Sequence, residues 1–278
     1  MTLLYDRRVT ITVDTIQIVD LDCEFKVDKT LKPAPNNCDV TIYNLTEDHR
    51  AQLEQVTPKG KEPTHGIPCE IVAGYADGTS QIWLGDLRTA HSAYEDHEWV
   101  TKLSAGDGEK GAAHARLHIS YGAKTQIDVA LRAMARAMGV GEGNLSKVVA
   151  RLKMAGAAVF PTGVTISGPV YRQMQTWAQS ADLQLSIQDS ALQFIDIGKA
   201  LQGEALVLTH DTGLREASVD NEGVLTAKID MIPGVRMGGV VIVDSKTVKG
   251  QYQIQNGTCE GITDDPNAWG WTIQGKRY

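Results

Sequence analysis

The 278-residue sequence contains no apolar run near the roughly 20 residues that a membrane-spanning helix needs. Its opening residues, Met1 to Arg8, also lack the long apolar stretch of a signal peptide. The expectation is a soluble chain that does not take the secretory route and has no membrane anchor. Cysteine is scarce: Cys23, Cys38, Cys69 and Cys259 are far apart, with no C-x-x-C pair and no disulfide-scaffold spacing. Cys23 and Cys69 each fall in an alternating apolar pattern, where a reduced thiol packs as a small hydrophobe. Positive charge is also short. The formal charge is −7, with 11 Lys/Arg against 19 Asp/Glu in residues 1–110. Only residues 111–200 carry a basic excess, nine against five. A protein that grips phosphates needs a positive footprint, so nucleic-acid binding is disfavoured. No G-x-S-x-G elbow and no phosphate loop is present, leaving nucleophilic and phosphoryl chemistry without an anchor.

What the sequence does hold is alternation. Val9-Ile11-Val13, Ile16-Ile18, Cys23-Phe25-Val27, Val40-Ile42, Cys69-Ile71-Ala73, Ile82-Leu84 and Trp99-Thr101-Leu103 alternate with polar residues, as half-buried antiparallel strands do. Turn signals separate them at 32–37, 58–68 and 76–78, and Asp96-His97 reads as a hairpin turn. One short helix is predicted from Glu47 to about Gln55, capped by Thr46. Between about 120 and 200 the period becomes helical. Thr125 to Asp128 fits a capping box ahead of a stripe of Ile127, Ala130, Leu131, Met134 and Met138, and Gly139 stops that helix. A second helix is predicted over 169–181, with Trp177 buried where the two helices meet, followed by a hairpin of Leu183-Leu185-Ile187 against Leu192-Phe194. Alternation returns from Ala205 in Leu206-Leu208, Ala227-Ile229, Val240-Ile242, Tyr252-Ile254 and Trp271-Ile273, with Asn256-Gly257 read as a turn signal.

Three patterns invite a chemical reading. Gly106-Asp107-Gly108-Glu109-Lys110-Gly111 satisfies G-x-G-x-x-G, with Asp128 about twenty residues on. A dinucleotide fold needs that acid at the end of a second parallel strand, whereas Asp128 sits at the start of a helix, so a Gly-rich interdomain connection is favoured. His114 and His118 have the spacing of two ligands on one helix face, but Ala115 stands where a metalloprotease keeps its general base and the segment 117–120 looks extended. Asn44-Leu45-Thr46 matches a glycosylation acceptor, which has no consequence off the secretory route. No catalytic, cofactor-binding or metal-binding residue is assigned, and no cofactor is expected.

Several segments, in order, resemble the hub proteins of phage tail baseplates. Phe25 to Asn36 followed by Val40-Thr41-Ile42-Tyr43-Asn44-Leu45-Thr46 looks like the opening of their first barrel. Ala73-Gly74-Tyr75 with Leu84-Gly85-Asp86-Leu87 resembles a family hairpin, and Ala105-Gly106-Asp107-Gly108-Glu109 resembles the family's G-D-G-E, which accounts for the dinucleotide-like match. Tyr121 to Thr125, Asp211 to Leu214 and Val248 to Tyr252 continue the likeness. Cys38 and Cys69 in strands, and a long 58–68 loop, depart from it.

The resemblance implies a mainly β (α+β) fold with two tail-tube-like antiparallel β-barrel domains, at 1–113 and 201–278, and a small α/β module of two helices and a hairpin at 114–200. It also implies a structural virion protein of the tail baseplate, made in the host bacterial cytoplasm and similar to the hub half of type VI secretion spikes. Such a hub is expected to be a homotrimer presenting six barrels around one channel. It would meet a tail tube or tube adaptor on one side and a spike on the other, with tape measure and baseplate wedge proteins as further neighbours. DNA would pass through a lumen whose acidity, about −21 for three copies of −7, repels it. Two other readings stay open. A tail-borne cell-wall hydrolase needs only two carboxylates that meet in space, and a zymogram separates it. A monomeric ligand-binding β protein is separated by its mass in solution.

Overall fold

The computed structural model describes residues 6–278 apart from 33, 58–65 and 155. The Pro33 part of the first predicted turn and most of the 58–68 loop therefore lie outside the described residues. The chain opens with strands Arg7–Val13 (β1), Ile16–Val19 (β2), Cys23–Thr30 (β3) and Asn36–Tyr43 (β4). Helix α1 (Glu47–Val56) follows, then β5 (Pro68–Tyr75), β6 (Gly78–Glu95) and β7 (Glu98–Asp107). The middle holds α2 (Glu109–His114), β8 (Arg116–Tyr121), α3 (Ile127–Met138), α4 (Leu145–Met154), β9 (Val164–Pro169), α5 (Val170–Ser180), β10 (Leu183–Gln188) and β11 (Ala191–Asp196). The chain closes with β12 (Leu206–Leu208), β13 (Leu214–Val219), β14 (Val224–Asp230), β15 (Val240–Asp244), β16 (Lys249–Ile262) and β17 (Trp269–Arg277).

Two compact units result. One joins Met1–Asp107 with Ala200–Tyr278, and the other is Gly108–Lys199. In the first, a 13-stranded sheet runs β13-β14-β17-β16-β3-β4-β7-β6-β5-β1-β2, with β15 on β16 and β12 on β15. The N- and C-terminal β segments are hydrogen-bonded to each other at a β3–β16 seam running from Asn256↔Thr30 to Ile262↔Glu24. Period-two burial explains the pairing. β3 reads buried at Cys23, Phe25, Val27 and Lys29 and exposed between them, so any one-residue slip would turn the apolar set outward. Across the seam Val27 stands opposite both Cys259 and Cys38, and all three are fully buried. All four cysteines are buried and free, as small core hydrophobes.

Asn256-Gly257 does not turn the chain. It lies inside β16 beside a bulge between Ile254 and Asn256, and long strands on both sides override the local turn preference. The predicted turn at Asp96-His97 forms, and the predicted 183–194 hairpin turns at Asp189-Ser190, each with two residues at positive φ, which two-residue hairpins with right-handed strand twist require.

The second unit packs its helices, the antiparallel pair β8–β9 and the hairpin β10–β11 on a core of Leu131, Met134, Met138, Val148, Met174 and Leu185. α3 and α5 meet the two predicted helices within two residues at each end, while α2 and α4 are additional. The capping box at Thr125 is not formed: Gln126 is the N-cap without a side-chain bond, and the Thr125 hydroxyl instead donates to the Gly122 carbonyl at 2.8 Å. Trp177 is only half buried, edge-on to Phe160 at 5.8 Å; Val170, Met174 and Ala178 hold the fully buried positions of α5. The indole is wide, and the stripe it belongs to reaches the edge of the module core.

Candidate assembly surfaces

The residues singled out for chemistry are dispersed. β7 does run into Gly108 and α2, so a strand–glycine–helix passage exists at Gly106 to Gly111. But β7 is antiparallel to both β4 and β6, and the next strand, β8, pairs only with β9, antiparallel, so no parallel crossover forms. The glycines have other reasons. Gly108 sits at φ 64, left-handed, where Ile187 also crowds any side chain, and a Cβ on Gly111 would lie 2.1 Å from the Met138 carbonyl oxygen. They let the chain turn out of the sheet and let α2 close onto the end of α3. Asp128 lies in the first turn of α3 with Oδ1 buried and unpartnered. His114 ends α2 whereas His118 is in β8, its Nδ1 2.8 Å from the Ser167 hydroxyl, so the two share no helix face. Among the described residues no group of three or more His, Cys, Asp or Glu could hold a metal ion. Among the described residues no helix is long and apolar enough to cross a membrane.

What the structure offers instead is surface. β2 and β13 end the path of the large sheet, the positions at which another chain can add to it. A cluster with no sequence signal ties the two β segments together. Arg215 of β13 donates to Asp230 Oδ1 at 2.6 Å and to the carbonyls of Asn267 (3.0 Å) and Trp269 (2.9 Å), fixing the 264–267 turn. Arg7 of β1 donates to the Ile262 carbonyl at 3.1 Å and lies over the Trp269 ring. Tyr75 at the end of β5 is buried among the same groups, and burial together with the Asp230 charge pushes its hydroxyl pKa up. Charge separates between units: residues 108–199 carry ten Lys/Arg against six Asp/Glu, and the rest 17 against 28. The α/β unit also has an apolar cavity of about 510 Å³ between α3, α4 and α5, lined by Leu131, Leu152, Phe160, Met174 and Trp177, with the Arg151–Asp196 ion pair near its mouth.

Among the described residues, both ends of the chain build one large sheet, a compact α/β insert lies between them in sequence, and the residues singled out for chemistry are not brought together. A sequence model described as baseplate hub gp41 matches residues 7–256. The chain belongs to the baseplate hub gp41 family. The fold of this hub agrees with solved tail proteins. The 43 kDa tail protein of prophage MuSo2 from Shewanella oneidensis matches with TM-score 0.64 at 10% identity, covering 98% of this chain and 97% of that one. A tail protein of Neisseria meningitidis MC58 matches with TM-score 0.62 at 12% identity, again over 98% and 97%. The Escherichia coli c3393 protein, a type VI secretion component similar to tail proteins gp27 and gp5 of bacteriophage T4, gives 0.54 at 11% identity over 96% and 76%. No curated protein matches the sequence significantly. The hub is therefore a structural protein of the phage tail baseplate, mainly β with a large antiparallel sheet.

Proposed function

We propose that three copies of this hub form a ring that joins the tail tube to the central spike and lines the channel through which DNA leaves, acting by assembly and not by catalysis. The observation that carries the reading is the arrangement about the β3–β16 seam. Outward from it the path runs through seven strands, β3, β4, β7, β6, β5, β1 and β2, on one side and four, β16, β17, β14 and β13, on the other, with β15 and β12 branching from β16. Each chain thus holds two strand-rich halves, at 1–113 and 201–278, with the 114–200 module between them in sequence. Three such chains present six half-units, which suits a threefold spike on a sixfold tube and needs only closed rotational symmetry. The sheet ends at β2 and β13 give each copy edges for its neighbours, and the tape measure and wedge proteins are further contacts of the same baseplate. The acidic β unit, 17 Lys/Arg against 28 Asp/Glu, suits a bore that DNA crosses without sticking. The protein is made in the host cytoplasm and ends in the virion. Light scattering and negative-stain imaging of the purified chain, alone and with its tube and spike proteins, test this. A three-subunit ring with a central hole is expected; a monomer that joins neither partner overturns it.

A further inference from the structure

The tip of the β6–β7 hairpin is built unlike the rest of the surface. Tyr94 and Trp99 face each other across it, 61% and 38% exposed, with ring centroids 5.5 Å apart and edge-on at 63°. Among the described residues it is the one place where two exposed aromatic rings touch; the other exposed large hydrophobics are mostly aliphatic and scattered. The Arg50 guanidinium of α1 lies 3.9 Å above the Trp99 ring centroid, and Arg50 also donates to the Leu45 carbonyl.

The tip is also held rigid. Asn44, left-handed at φ 53, donates its backbone N–H to the Trp99 carbonyl at 2.7 Å and accepts the Trp99 N–H on its side-chain oxygen at 3.3 Å. Its amide donates to Glu98 at 3.3 Å. One residue of the β4–α1 corner thus holds the β7 strand of the hairpin by three bonds. A pre-ordered pair of aromatics loses little conformational entropy on binding, and Trp, Tyr and Arg are the side chains that most often anchor protein interfaces.

The local charge names the partner's chemistry. Residues 43–50 and 94–102 hold five carboxylates, Glu47, Asp48, Glu95, Asp96 and Glu98, against two cations. Both cations are engaged, Arg50 on Trp99 and Lys102 with Glu95 at 3.2 Å. The Tyr43 hydroxyl registers the field: its pKa is raised by burial first, then by its bond to Glu24 and the charges of Glu24, Glu98 and Glu95. Phosphates would be repelled here, whereas a cation would find an aromatic face at Tyr94 and carboxylates around it.

We infer that the Tyr94–Trp99 hairpin tip is a docking anchor for a basic, Arg- or Lys-bearing surface of another tail protein, with a cationic side chain stacking on Tyr94 among Glu95, Asp96 and Glu98. This rests on the hub reading. The test measures binding of the full-length chain to the purified tube, spike and tape measure proteins of the same particle, at low and moderate salt. Wild type should bind one of them more weakly as salt rises. Tyr94→Ala, at an exposed position outside the core, should weaken that binding at least tenfold, and Glu95→Gln/Asp96→Asn should weaken it and flatten its salt dependence. Unchanged binding by both variants overturns the anchor and leaves the hub role standing. So does a loss of self-association in place of partner binding, which would make a second copy the occupant. If wild type binds none of the three, the anchor and the hub reading fall together.

Discussion

The β unit and the α/β unit reach their cores by different means. In the β unit, backbone pairing sets every register and side chains follow by alternation; all four cysteines are here, each packed as a rigid small hydrophobe. The α/β unit has few pairing constraints, and its core leans on Met134, Met138 and Met174, flexible side chains that fill irregular space and leave the 510 Å³ cavity open at one side. The lesson is that the first is over-determined by its ladder and the second, with only two short ladders, is held mainly by side-chain packing, with a smaller margin against local opening.

The sharpest way to break this comparison is Trp269→Ala. Trp269 of β17 is 1% exposed, edge-on to Phe25 of β3 at 5.6 Å and beneath Arg7 of β1, so it packs against strands from both ends of the chain. Truncation is expected to cost about 3–5 kcal/mol, as for a large buried aromatic. Because the seam makes one sheet of two segments, amide exchange should speed up together over 7–107 and 206–277, while protection in 108–199 persists. Loss of protection confined to 206–277 would mean that the seam does not couple the halves.

Legibility in the sequence followed the same division. Where burial alternates strictly, as in β3 and β4, residues alone locate the strands, and the hairpin turns at Asp96 and Asp189 are written in residues that tolerate positive φ. The β3–β16 seam joins residues more than two hundred apart, and no local pattern encodes it. Asn256-Gly257 shows the converse: a strong turn signal overridden because pairing on both flanks of β16 outweighs it. In the α/β unit, Leu145, Val148, Val149 and Leu152 do carry a helical stripe for α4, but glycines at 139, 141 and 143 obscure where it starts, and Asn144, a helix-capping residue type just ahead of it, uses its side chain on the Phe194 backbone instead. As for surfaces, Tyr94 and Trp99 are visible as a hairpin pair in sequence, whereas the Asn44 clamp that holds them and the Arg215 cluster are long-range and had no signal.

Alkali should act first on the β unit, where the buried thiols are, although burial also raises the Tyr171 hydroxyl of α5. Burial pushes the Cys23 and Cys69 thiols from the ordinary 9.0 up to about 12, helped by Asp22 and Glu24 at Cys23 and by Asp86 at Cys69. Cys38 and Cys259 are raised by burial as well. In the unfolded chain these thiols ionise near 9, so above that pH the unfolded state binds fewer protons and stability falls until the folded pKa is reached. The contribution is complete below pH 9 and lost progressively towards 12. At pH 10 each of Cys23 and Cys69 costs about 1.4 kcal/mol, roughly 3 together. Denaturant titrations at pH 8 and pH 10 should show this loss in the β unit, and Cys23→Ala/Cys69→Ala should reduce the difference between the two pH values. An unchanged difference would place the alkaline sensitivity elsewhere.

The smallest effect concerns what holds the seam. Lys26 of β3 and Glu260 of β16 pair across it at 2.9 Å, and the bond raises the Lys26 pKa, yet their side chains are 54% and 52% exposed. An ion pair so open to water is screened and contributes under about 1 kcal/mol. Beneath it lie the continuous backbone ladder and the buried Phe25, Val27 and Cys259. Lys26→Ala should therefore lower stability by a few tenths of a kcal/mol at most, with a shift that vanishes in about 1 M salt. If the variant instead lost about 2 kcal/mol and exchange rose along β3 and β16, the two halves would be joined by charge at their surface, and the single-sheet account of the β unit would give way to two separate barrels held by a polar contact.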